Sequence, residues 1–124
     1  MSADARHRLG QRGEQLASEH LIRRGFEIVE RNYRTRWGEL DIIAFDSRTL
    51  AFCEVKARRL APGGGSPFDA IRPLKRSQVR RMAGSWLRER AHHPHAELLR
   101  FDAIGVTFDL GGRLVGIDHV EGAW

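Results

Sequence analysis

Two apolar, β-prone runs, residues 39–45 (ELDIIAF) and 50–57 (LAFCEVKA), are separated only by Asp46-Ser47-Arg48-Thr49, a stretch of turn composition. So short a connection joins antiparallel strands, because a parallel pair needs a long crossover. With the turn centred between Ser47 and Arg48, paired residue numbers sum to 95. Asp41 then faces Glu54, Glu39 faces Lys56, and all four side chains share one face of the hairpin. Directly opposed residues have Cβ atoms ~5 Å apart, where like charges destabilise the pair. Two facing carboxylates therefore call for a cation, and a divalent oxygen-seeking ion such as Mg²⁺ (or Mn²⁺) is the simplest choice. Lys56, roughly 6.6 Å along the strand from Glu54, reaches the same ligands. The plainer alternative is an exposed polar face on which Lys56 pairs with Glu39 or Glu54.

The lysine adds weight to the first reading. Of 21 basic residues 19 are arginine, and the lysines are Lys56 and Lys75. Arginine stays charged at any working pH, whereas lysine is a compact donor whose pKa responds to burial and neighbours. One of two lysines beside the acidic pair suggests a position that needs an ammonium.

At 124 residues the chain is expected to form one domain, residues 1–124, large enough to bury roughly two-thirds of its unfolded surface. Its net charge of +5 and pI near 10.6 favour polyanionic partners, chiefly nucleic acid, over acidic small molecules. The first residues lack the apolar run of a signal peptide, and nowhere do 18 uncharged apolar residues run together. The expectation is a soluble, cytoplasmic protein with no membrane partner. Cys53 is the single cysteine and sits in an apolar run, so it reads as a small buried hydrophobe, with neither an internal disulfide nor a multi-cysteine zinc site to serve.

Around the hairpin, residues 5–24 have helical spacing, with Leu9, Gly13, Leu16, Ala17, His20 and Leu21 tracing one face and Gly25 ending it. Glu14 falls at the edge of that stripe, either as a rim glutamate paired with an arginine or as a contributor to the acidic site. Residues 26–33 read as a first strand. After it, Tyr33-Arg34-Thr35-Arg36-Trp37 interleaves cations with aromatics, a mixture that suits phosphate contact and base stacking; equally, Trp37 could cap the core while Arg34 and Arg36 face water. The Ala61-Pro62-Gly63-Gly64-Gly65-Ser66-Pro67 stretch reads as a mobile loop rather than a nucleotide cradle. A second helical region is expected to start near Ser66-Pro67 and to be interrupted or restarted at Pro73. Val79, Met82, Ala83, Trp86 and Leu87 form its apolar stripe. Its other side carries Arg76, Arg80, Arg81, Arg88 and Arg90, with Lys75 in the first turn, which makes either a phosphate clamp or a solvated basic face. The three histidines of Ala91-His92-His93-Pro94-His95 have no fixed ligand geometry. Leu98–Phe108 and Leu114–Val120 read as closing strands, with Arg100 and Asp102 on one face as a structural ion pair.

The order helix, three strands, helix, two strands, with an acidic residue opening the second strand and Glu-x-Lys in the third, resembles the core of the PD-(D/E)XK nuclease superfamily. Within it the chain is similar to the YraN-like family of small bacterial proteins, and in overall form to archaeal Holliday-junction resolvases. The resemblance spans nearly the whole chain. It is carried by Gly13-Glu14, Asn32, Gly38-Glu39-Leu40-Asp41, Glu54-Val55-Lys56 with Arg58, Lys75 and Arg100-Phe101-Asp102, with Leu40 standing where the superfamily has its nominal proline. The resemblance implies an α/β, restriction-endonuclease-like core of order αβββαββ, a central mixed sheet flanked by helices. It also implies a Mg²⁺ (or Mn²⁺) held by Asp41, Glu54 and the backbone carbonyl of Val55, with Lys56 positioning or helping to deprotonate the attacking water and Glu14 completing the site. Arg34, Arg36, Trp37, Arg58, Lys75 and Arg76 would contact nucleic acid. Hydrolysis of phosphodiester bonds, in DNA and with resolvase-like structure specificity, is the leading expectation, and such an action favours a symmetric homodimer because two opposed strands must be cut. The competing expectation is a non-catalytic nucleic-acid-binding module that keeps the fold and the basic surface. Weaker still is a structural partner of a DNA-processing complex.

Overall fold

The computed structural model describes residues 2–60 and 75–123, in the order α1 (Ala3–Arg23), β1 (Glu27–Thr35), β2 (Gly38–Phe45), β3 (Thr49–Arg59), α2 (Lys75–Glu89), β4 (Leu98–Phe108) and β5 (Leu114–Val120). This is the expected αβββαββ order. The strands form one mixed sheet with spatial order β1-β2-β3-β4-β5, antiparallel throughout except for the parallel β3–β4 pair that α2 bridges. The triple-glycine stretch and the expected helix start near Ser66-Pro67 lie outside the described residues.

The central hairpin has the anticipated register. Ile42↔Cys53, Ile43↔Phe52, Ala44↔Ala51 and Phe45↔Leu50 all sum to 95. Its turn is closed by Asp46, whose Oδ1 accepts from the backbone N–H groups of Arg48 (3.1 Å) and Thr49 (2.7 Å), while Ser47 adopts φ 80°. This short acidic side chain bonds the backbone two and three residues on, beside the turn's own Asp46 N–H to Thr49 carbonyl bond (3.2 Å), which is why Asp serves here.

Alternate residues of the strands face opposite sides, so the sheet has two cores. On one side Ile42, Ala44, Ala51, Cys53, Ile104, Val106 and Phe108 pack beneath Ala17 and Leu21 of α1. On the other, Leu40, Ile43, Leu50, Phe52 and Phe101 pack beneath Val79, Met82, Ala83 and Trp86 of α2. Cys53 is fully buried in the first of these. The α1 stripe is as expected, and Gly13 is its closest approach to the sheet: a Cβ there would lie 2.6 Å from Ala57 Cβ. The far end of α2 is tied to β1 through Glu30, which accepts a bidentate pair from Arg90 (2.8 and 2.8 Å) and the Trp86 indole N–H (2.9 Å). Among the described residues no helix is long and apolar enough to cross a membrane.

Candidate functional site

The site begins with a local fault in the β1–β2 ladder, a single missing pair whose flanking pairs keep one register; the ladder's register shift lies farther back, between Ile28 and Glu30. Arg31↔Ile42 and Tyr33↔Leu40 are paired, and between them stand Asn32 and Asp41. Asn32 has φ 58°, in the left-handed region that asparagine tolerates better than other side chains with a Cβ. Across from it, Leu40 belongs to the core beneath α2 whereas Ile42 belongs to the core beneath α1. Residues i and i+2 of a regular strand share a face, so β2 rotates at Asp41. The β2–β3 ladder also stops there, at Ile42↔Cys53. In place of a further ladder bond, the Val55 N–H donates to Asp41 Oδ2 at 2.7 Å. The expectation that Asp41 and Glu54 form a directly paired couple is corrected accordingly: the register holds, but the pairing ends one step earlier, because the Asp41 carboxylate takes the backbone's place.

Ligand oxygens of Glu14, Glu39 and Asp41 lie within 4.8 Å of one another. Glu14 reaches this group from α1 because the glycine beside it, Gly13, lets the helix approach β3. Asn32 sits between the two glutamates. With its amide nitrogen turned toward them it donates to Glu14 Oε1 (2.7 Å) and Glu39 Oε1 (2.6 Å). The electrostatics record the crowding. Burial pushes the Asp41 carboxyl up to about 7; the Val55 N–H opposes this, and Glu14, Glu54 and Glu39 add to it. Burial and then Glu39 also raise Glu14, against the pull of Arg31, Arg34 and His7.

Glu54 lies outside that group of three. It alternates with Cys53 and Val55, which pack on the α1 side, and it is 7% exposed. Lys56 Nζ stands 3.5 Å from Glu54 Oε1 and is 39% exposed, so Glu54 is its ion-pair partner, one of the two anticipated in the plainer reading of the hairpin. The shared face foreseen for Glu39, Asp41, Glu54 and Lys56 is thereby divided into two neighbouring pairs, coupled through the charge that Glu54 places on Asp41.

Glu14, Asn32, Glu39 and Asp41 floor an open cleft of about 390 Å³, walled by Arg6, His7, Gly10 and Gln11 of α1 and by Arg34 of β1. Arg34 is 3.6 Å from Glu39 and largely exposed. Of the other residues assigned to nucleic-acid contact, Arg36 lies over the Trp37 ring at 4.7 Å, and Trp37 packs against the α2-side core. Arg58 is half-buried on β3, and Arg76 is exposed on α2, across the sheet from α1. Lys75 opens α2. The cleft lining includes none of Arg36, Trp37, Arg58 and Arg76. Sequence reasoning passed over Arg6, His7, Gly10 and Gln11, although the spacing 7, 10, 11, 14 places His7, Gly10 and Gln11 on the helical face of Glu14. Arg100 and Asp102 form the structural pair foreseen, at 2.9 and 3.0 Å, with Asp102 fully buried and also bonded by His119 Nε2 (2.8 Å) and the Gly122 N–H (3.2 Å).

Residues 13–106 match the family model described as uncharacterised protein family UPF0102. The chain is similar to a UPF0102 protein of Frankia casuarinae, 42% identical over 97% of this chain and 98% of the relative. It is likewise similar to one of Nocardia farcinica (47%, 91% and 86%) and one of Streptomyces griseus (42%, 96% and 98%). The matched span opens on Gly13-Glu14 and contains every member of the acidic group.

Proposed function

The chain belongs to the uncharacterised protein family UPF0102, and from that membership together with its acidic cleft we propose a cytoplasmic, divalent-metal-dependent nuclease that hydrolyses phosphodiester bonds in DNA, with resolvase-like preference for branched substrates. One observation carries the reading: Glu14, Glu39 and Asp41 converge from α1 and β2 on one cleft, at a cost visible in the raised Asp41 carboxyl. An all-oxygen donor set of three clustered carboxylates fits Mg²⁺ or Mn²⁺. The PD-(D/E)XK likeness of the chain order and of Glu54-Val55-Lys56 points the same way.

A divalent ion at this site supplies charge neutralisation for the phosphoryl group and a more acidic water. The chain's own residues do the rest. Asn32 holds Glu14 and Glu39 by one oxygen each, while the second oxygen of Glu39 faces Arg34. The Val55 N–H fixes Asp41. Lys56, steadied by Glu54, offers an ammonium to the negative charge that grows in the transition state. Arg34 lines the cleft where a strand's phosphate would enter.

The test is incubation of the protein with labelled linear, single-stranded, flapped and four-way DNA in Mg²⁺, Mn²⁺ or EDTA. Metal-dependent cutting of the branched substrates, lost in Asp41→Asn, is the expected result. A second reading, a non-catalytic binding module, is favoured by the position of Glu54 and Lys56, which pair with each other outside the group of three. A parent protein that binds DNA and cuts none of these substrates establishes that alternative.

A further inference from the structure

A second opening flanks α1 on the side away from the acidic cleft. It measures about 160 Å³ and is lined by Ala5, Arg8, Leu9, Arg12 and Arg59. Three of its five residues are guanidinium-bearing and none is acidic. Arg8 and Arg12 are one helical turn apart, where like charges repel, and Arg59 joins them from the end of β3. Arg12 is held in place: its NH1 donates to the Gly112 carbonyl, and its guanidinium lies 4.7 Å over the Phe108 ring. Arg8 and Arg59 are exposed, and among the described residues neither side chain forms an ion pair or hydrogen bond.

We propose that the Arg8–Arg12–Arg59 pocket binds a backbone phosphate of the nucleic acid, as a subsite separate from the acidic cleft. The pocket lining offers three guanidiniums and no carboxylate, and a phosphate oxyanion would supply the missing negative charge while accepting from their N–H donors. Arg12 is preorganised and Arg8 and Arg59 are free to close on the ligand. The position favours a polymer over a free anion. His7, Gly10, Gln11 and Glu14 occupy one flank of α1 and Arg8 and Arg12 the other, so the two openings are separated by the helix itself, about 10–12 Å across with its side chains. The major groove of B-DNA is about 12 Å wide, so phosphates on its two walls can reach both flanks. The inference rests on nucleic acid being the substrate, and not on its being cut.

The experiment is binding of a labelled duplex by fluorescence anisotropy in EDTA over a salt series. Arg8→Ala with Arg59→Ala is compared with Arg23→Ala with Arg48→Ala, which removes the same charge elsewhere; Arg12 is left intact because it also supports the fold. The pocket variant should bind about tenfold or more weakly at low salt. Its slope of log affinity against log salt should be shallower by about 1.8, two contacts at ~0.9 each. Thermal melting verifies that both variants fold. Duplex binding equal to that of the charge-matched control overturns the proposal, as does failure of the parent to bind duplex at low salt. So does saturation of the pocket by inorganic phosphate, followed by amide NMR shifts, when duplex binding is unchanged in the variant. Because the readout is binding without metal, a parent that never cuts DNA sinks the nuclease reading and leaves this result intact.

Discussion

Asp41 carries the carboxyl of the acidic group whose protonation is most displaced. Its carboxyl is raised to about 7, so in metal-free protein it is about half protonated near neutrality. A cation must displace that proton, and metal affinity should therefore fall as pH drops through 7. Calorimetric titration with Mn²⁺ at pH 6, 7 and 8 should show the trend, and Asp41→Asn should abolish binding; a variant that still binds Mn²⁺ like the parent removes the site as described. The same shift acts on stability. A carboxyl whose folded pKa lies above its unfolded value binds protons more tightly when folded, so its contribution is present below about pH 4 and is lost as pH rises through 7. In EDTA, chemical denaturation should find Asp41→Asn more stable than the parent at pH 8, by of order a few kcal/mol, and no more stable at pH 4. On the proposed function Lys56, held by its ion pair with Glu54, acts on the charge that grows in the transition state, so Lys56→Met should bind Mn²⁺ and DNA near normally and lose cleavage by roughly two or more orders of magnitude. Lys56→Arg keeps the charge in a bulkier planar group and should be badly impaired too. Parent-like cutting by the arginine variant would reduce the lysine to a generic cation.

At the scale of elements, the packing of α1 on β3 is what delivers Glu14. The 2.6 Å approach that a Cβ on Gly13 would make to Ala57 Cβ joins a helix axis to a strand backbone, and neither yields easily. Gly13→Ala should destabilise the fold by about 1–3 kcal/mol, the usual range for overpacking. It should also weaken Mn²⁺ binding by pushing Glu14 away from Glu39 and Asp41. Adding Ala57→Gly removes the clashing methyl, so the double variant should regain metal affinity although a glycine in the strand costs some stability. Urea melts and Mn²⁺ titrations of the single and double variants separate the two effects; a double variant with no better affinity than Gly13→Ala would show that the helix approach does not set the site. The β1–β2 fault is the second such device. It spends a left-handed Asn32 to bring its amide and Asp41 into the site, and an unbroken ladder would have left Asp41 in the regular alternation of β2.

For the molecule as a whole, two buried or half-buried charge systems act on stability with opposite sign. Burial by itself would raise Asp102, but bonds from His119, Arg100 and the Gly122 N–H hold it below the ordinary aspartate value. Its contribution is therefore present above pH 4 and is lost as pH falls through its depressed pKa, the reverse of Asp41. Asp102→Ala removes the bidentate partner of the half-buried Arg100, which keeps only Glu121, and takes an acceptor from His119 and the Gly122 N–H; it should cost roughly 3 kcal/mol, more than loss of an exposed pair such as Arg48 with Glu97. Chemical denaturation at pH 7 measures both. Resolvase-like action on a four-way junction would require two such molecules in symmetric arrangement, and sedimentation with and without junction DNA tests for the dimer.

Much of the fold was legible because its signals are local. The Asp46–Thr49 turn, the alternation in β2 and β3 and the stripe Val79, Met82, Ala83, Trp86 each depend on residues close in the chain, so register and layering followed from spacing. The identities of Asp41, Glu54, Lys56 and Glu14 as residues of interest were legible for the same reason: charges within apolar patterns stand out. So were the shared face of Glu39 and Asp41 and the possible arrival of Glu14 from the helix; that Glu54 stands outside their group was not. An ideal ladder continues through Asp41 and puts it against Glu54, and only the left-handed Asn32, the rotation of β2 and the close seat of Gly13 on Ala57 bring Glu39 and Glu14 to Asp41 instead. The arginine pocket was hidden likewise, since Arg8 and Arg12 are separated from Arg59 by most of the α1–β3 segment and are neighbours only because α1 lies across β3. Periodicity determines which side of an element a residue occupies; the distance between residues on different elements is set by how closely the backbones pack, and that is decided by tertiary contacts alone.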